Sequence, residues 1–157
     1  MAVIESGLII NGIPVVRSEY YSVDKFGDPF IRTGLFTAIQ TFAAKAFKDE
    51  VKEMKFKKYV IIIRDLNAGE EMPILLYSVA ERGTDISEIK KRLQNIQKKI
   101  NITERILDSP VMNNETIRVK KIVDKEMQDL SLKPADRAKF VFGDWKSFFA
   151  SKQKSLK

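Results

Sequence analysis

Leu8-Ile9-Ile10-Asn11-Gly12-Ile13-Pro14-Val15-Val16, residues 8–16, decides how the chain begins to fold. Two apolar runs flank an Asn-Gly pair, and both turn residues tolerate the positive φ that a tight hairpin turn requires. The stretch therefore predicts two antiparallel strands, Ala2–Ile10 and Ile13–Ser22. Pro14 has no N–H to give to a ladder, so the return strand is expected to lie at a sheet edge or to begin there.

Working outward, Asp28-Pro29 opens a helix, with Asp as the cap and Pro at the first helical position. Ile31, Leu35, Ala38, Ile39, Phe42, Ala43, Ala46 and Phe47 recur at spacings of three and four. That stripe predicts a helix over 29–48 that turns these residues to the core. Leu35, Phe42 and Ile62 are expected to be buried, and Arg32, Phe36, Thr37 and Gln40 to face away. Short strands are predicted at Met54–Phe56, Tyr59–Asp65 and Pro73–Arg82. Val60-Ile61-Ile62-Ile63 and Ile74-Leu75-Leu76-Tyr77 are apolar on both faces and need cover on both sides of the sheet.

Ile86, Ile89, Leu93, Ile96 and Ile100 form the next helical seam, which predicts a helix over 86–107. Ile117, Ile122, Val123, Met127 and Leu130 mark another over 114–131, after a break at Asp108-Ser109-Pro110. The expected architecture is α/β (α+β): a five-stranded, mostly antiparallel sheet with one helix on one face and two or more on the other. One domain over 1–131 and a basic aromatic helical extension over 132–157 account for the 157 residues.

Composition narrows the chemistry. The chain has no cysteine and no histidine. Thiolate nucleophiles, Ser-His and Cys-His pairs and nitrogen-ligated zinc are excluded. No glycine loop matches a phosphate cradle, and no acid-base constellation converges in the sequence. No catalytic residue, metal or cofactor is expected. No signal peptide is read at the N-terminus and no run is long enough to span a bilayer, so a cytoplasmic protein is expected, with peripheral membrane contact as an option.

Charge is uneven. Residues 1–85 carry 11 basic and 12 acidic side chains, and residues 86–157 carry 17 and 9, so the surplus of +7 sits in the C-terminal half. Lys90, Lys91, Lys98 and Lys99, with Trp145, Lys146, Phe148 and Phe149 at helical spacing in the tail, are the candidate anionic surface. Two readings stand for the lysines: a site for an anionic partner, or solvated helix faces. Two stand for the tail: an interfacial helix, or rings folded back on the domain, the latter preferred because large free aromatics rarely stay exposed. Nucleic acid is the less expected partner, because no aromatic residues interleave with the lysines.

The order β-β-α-β-β-β-α-α over residues 2–130 resembles the longin domain, within the profilin-like group that includes roadblock domains. The N-terminal hairpin, helix 29–48, the strands around Phe56, Ile62 and Leu76, and the two closing helices carry the resemblance. It implies a non-enzymatic docking platform for a small GTPase, a trafficking adaptor or another longin/roadblock domain, working as a homo- or hetero-dimer. The absence of a long heptad segment after residue 130 departs from longin SNAREs. The candidate partner-binding residues are Pro14, Val16 and Arg17 on the edge strand and Arg32, Phe36 and Gln40 on the first helix. The edge strand could add a strand from another chain.

Overall fold

A computed structural model describes residues 2–20, 27–68, 71–100 and 114–131. Five strands, β1 (Val3–Ile10), β2 (Ile13–Glu19), β3 (Glu53–Lys55), β4 (Tyr59–Asp65) and β5 (Ile74–Glu81), form one antiparallel sheet in the order β2-β1-β5-β4-β3. Three helices accompany it: α1 (Pro29–Phe47), α2 (Ile86–Lys99) and α3 (Asn114–Ser131). The predicted class and element order are found. The extension at 132–157 and the predicted helical residues 101–107 lie outside the described residues.

The turn is what the Asn-Gly pair requires: Asn11 has φ 49° and Gly12 φ 83°. β1 then pairs with β2 on one side and β5 on the other, which explains why it is buried throughout. The edges fall to β2 and β3, and β2 ends at Glu19, short of the predicted Ser22. α1 starts as expected: Asp28 Oδ1 accepts from the Phe30 N–H at 2.8 Å. It ends at Lys48, whose left-handed φ of 54° turns its N–H back to the Ala43 carbonyl. α2 starts at Asp85, whose side chain accepts from the Ser87 and Glu88 N–H groups, and stops at Lys99 because Ile100 is extended.

The two faces of the sheet carry different cores. On one, Leu8, Val16, Ile62, Leu76 and Ala80 meet Ile89, Leu93 and Ile96 of α2 and Val119, Val123 and Met127 of α3. On the other, Ile9, Ile61, Ile63, Leu75, Tyr77 and Val79 meet a single α1 residue of that cluster, Phe36. One helix thus covers one face and two cover the other, as the double-sided strands demanded.

Candidate interaction surface

α1 is rotated away from its predicted stripe: Ala43 of that stripe is buried as expected, while most of the rest, Phe47 included, stands outside. Its buried residues are Thr33, Phe36, Gln40 and Ala43. Phe36, expected to stand outside, is 1% exposed and lies against Tyr77 with ring centroids 5.7 Å apart. Leu35 and Phe42, expected in the core, are 47% and 64% exposed, and Ile31 is 72% exposed. Ala38 and Ala46 are also exposed, and Ile39 is half-buried. Ile62 is buried as expected.

Polar contacts fix this orientation. The Thr33 hydroxyl donates to the Gly12 carbonyl at 3.0 Å, pinning α1 to the hairpin turn. The Gln40 side chain accepts from the Val51 N–H at 2.7 Å and donates to Asp65 Oδ2 at 3.4 Å, tying the helix to the segment that follows it and to β4. Arg32 donates to Glu5 at 2.7 Å. Turning α1 by half a turn would bury the outer apolar stripe but leave the Val51 N–H and the Glu5 carboxylate short of partners, at a cost of about 1–3 kcal/mol for each buried group.

Glu5 anchors that arrangement. It has no solvent exposure and accepts from Arg32, from Arg17 at 3.3 Å and from the Tyr77 hydroxyl at 2.5 Å. A carboxylate can sit there because its lone pairs are matched. Burial, and next the Glu5 carboxylate, push the Tyr77 phenol well above its usual range, so it stays a proton donor. Gly7 makes room for the Tyr77 ring: a Cβ there would lie 2.1 Å from the Val16 carbonyl and 3.0 Å from the ring.

The sequence-derived candidates therefore divide. Phe36 and Gln40 point into the protein and cannot present themselves to a partner. Arg32 is half-buried on Glu5. Val16 is buried in the core on the α2 and α3 side, so β2 offers only its backbone edge there. Pro14 is half-buried, and Arg17 is held by Glu5 and Glu19. The candidate anionic surface is divided too. Lys90 pairs with Glu53 at 3.1 Å, and its hydrogen bond holds the Glu53 carboxyl below the usual carboxylate range. Lys99 pairs with Glu126, which also lies by Arg92. Lys91 and Lys98 stand in solvent. Trp145, Lys146, Phe148 and Phe149 lie outside the described residues.

What the periodicity misplaced is the surface of interest: Ile31, Leu35, Ala38, Phe42 and Ala46 form one outward seam along α1. Phe42 and Phe47 pack edge to face at 6.1 Å. Within α1 the charged residues are Arg32 and Lys45. A helix face this apolar is ordinarily covered by protein. A cleft of about 410 Å³ between β4 and α2 is lined by Lys52, Arg64, Lys90 and Gln97, with Glu50 and Asp65 offsetting the positive charge. Among the described residues no helix is long and apolar enough to cross a membrane, and no group of three acidic side chains converges on a metal position. No protein-family model matches the chain, and no curated protein matches it.

Proposed function

We propose that this chain is a protein-interaction platform that works by docking rather than by catalysis, and that its docking surface is the outward face of α1. The observation that carries the reading is the seam Ile31, Leu35, Ala38, Phe42 and Ala46, apolar and exposed on a helix whose other face is already anchored. Large apolar side chains grouped in this way mark protein contact sites. The resemblance to longin domains supplies the class of partner: a small GTPase, a trafficking adaptor or a related domain, met in the cytoplasm. The pairing of Lys90 with Glu53 and of Lys99 with Glu126 weakens the alternative of a basic surface for membranes or nucleic acid.

A photo-crosslinking residue placed at position 35 of the full chain tests the reading in extract of the native host. A specific, sequenced protein adduct is expected at position 35, and none at position 91 on the solvent side of α2. No adduct at 35, or equal adducts at both positions, would overturn the reading.

A further inference from the structure

We infer that the outer face of the α2–α3 layer seats the domain on an anionic lipid bilayer, through Lys91 and Lys98 of α2 and Arg118, Lys121 and Lys125 of α3. α1 lies on the other side of the sheet, so this surface is independent of the docking reading and both can be occupied together.

α2 and α3 cover the same face of the sheet and lie side by side: Arg92 reaches Asp129 at 2.9 Å, and Lys99 meets Glu126. Every acid of the two helices is half-buried or buried, and each has a basic partner. Glu88, Glu126 and Asp129 lie by Arg92, Glu115 by Arg118, and Asp124 by Lys120. At the exposed positions of both helices, by contrast, every charged side chain is basic. Pairing removes Lys90 and Lys99 from any such surface. Lys91, Lys98, Lys121 and Lys125 form no ion pair among the described residues. Arg118 meets Glu115 at 3.6 Å, a surface contact that water screens.

Periodicity sets these five cations on one side. Lys91 and Lys98, two turns apart, lie opposite the inward Ile89, Leu93 and Ile96. Arg118, Lys121 and Lys125 lie opposite the inward Val119, Val123 and Met127. Each row is about 10 Å long, and packed helices stand about 8–10 Å apart. Like charges at spacings of three and four weaken an isolated helix, so this grouping does nothing for the fold. An anionic surface relieves the repulsion and gains from each cation at once.

A bilayer fits this face better than nucleic acid does. Two helices packed side by side are wider than the major groove of about 12 Å, which admits one helix. Neither helix carries an aromatic residue for stacking on bases. Four of the five cations are lysines, compact point charges without the planar fork that arginine offers a single phosphate. A lipid surface asks only for charge brought close over a broad area. Ile117, 39% exposed beside Arg118, adds an apolar side chain that can enter the headgroup region.

The test mixes the full chain with phosphatidylcholine vesicles, with and without phosphatidylserine, and reads the bound fraction by co-sedimentation. Binding is expected only with phosphatidylserine and should weaken steeply as salt rises. Lys121→Glu with Lys125→Glu should reduce it more than about tenfold, with an unchanged far-ultraviolet spectrum. Lys91→Gln with Lys98→Gln should reproduce the loss if the first variant fails to fold. Lys45→Glu with Lys48→Glu moves the net charge as far as the first variant, from the opposite face, and should stay within about twofold of the parent. Absence of binding to phosphatidylserine vesicles overturns the inference. So does binding that both face variants leave intact, or an equal loss in the α1 control. Tighter binding of a DNA duplex than of the vesicles at the same salt, lost in the same face variants, overturns it in favour of nucleic acid. The adduct at position 35 tests the docking reading separately.

Discussion

α1 and α2 lie on opposite faces of the same sheet and are built on opposite plans. α2 turns Ile89, Leu93 and Ile96 inward and its lysines outward, and its contribution to the core is large apolar side chains. α1 turns Thr33, Phe36, Gln40 and Ala43 inward and Ile31, Leu35 and Phe42 outward. It is held by directional bonds from Thr33, Gln40 and Arg32, with one large ring, Phe36, beneath it. A helix seated by hydrogen bonds leaves its best apolar face free. The difference separates a helix that buries its large apolar side chains from one that leaves them in solvent.

The largest effect should come from the two phenylalanines of α1. Phe36→Ala removes a buried ring and should cost about 3–5 kcal/mol in denaturant unfolding. Phe42→Ala should stay within about 0.5 kcal/mol. Equal losses would erase the contrast between the two faces. Next, Glu5→Ala strips the acceptor shared by Arg32, Arg17 and Tyr77 and should cost about 2–3 kcal/mol, while Glu5→Gln should recover part of it. Gln40→Ala leaves the Val51 N–H without its side-chain partner and should cost about 1 kcal/mol, with faster exchange of that amide as the readout.

The smallest effect is in pH. Asp85 is held below its usual range, first by the Ser87 hydroxyl and then by the Glu88 N–H, and Glu53 is held low chiefly by Lys90. A depressed folded-state pKa stabilises the protein above the ordinary carboxylate pKa and loses that stabilisation as pH falls through the folded value. Stability should therefore decline below about pH 4, less steeply in Asp85→Asn. Tyr77 works in the other direction: its raised phenol stabilises the fold below about pH 10, and that stabilisation is lost on further alkalinisation. Unfolding midpoints across pH check both ends, and a flat acid limb would contradict the first.

Much of the fold was legible. The Asn-Gly turn, the Asp28-Pro29 start, the double-sided strands and helix 114–131 follow from local signals, and they force a sheet covered on both sides. The seating of α1 was not legible from its spacing. Two stripes interleave along it: 31, 35, 38, 42 and 46, and 33, 36, 40 and 43. Both recur at three and four, and the more apolar one faces out because the other carries the groups that Gly12, Val51 and Asp65 need. One signal in the sequence pointed that way. Glu5 interrupts an apolar strand, and a buried carboxylate requires basic partners: Arg17 supplies one from β2, and Arg32 adds a shorter contact with α1 turned as observed. β2 shows a smaller version of the same limit: it is an edge strand as Pro14 implied, yet Val16 is consumed by the core.

Thiol labelling of single-cysteine variants Leu35→Cys, Phe42→Cys and Ala43→Cys tests the seating of α1 most directly. Positions 35 and 42 should label fast, while position 43 stays protected. Fast labelling at 43 with protection at 42 would contradict the account.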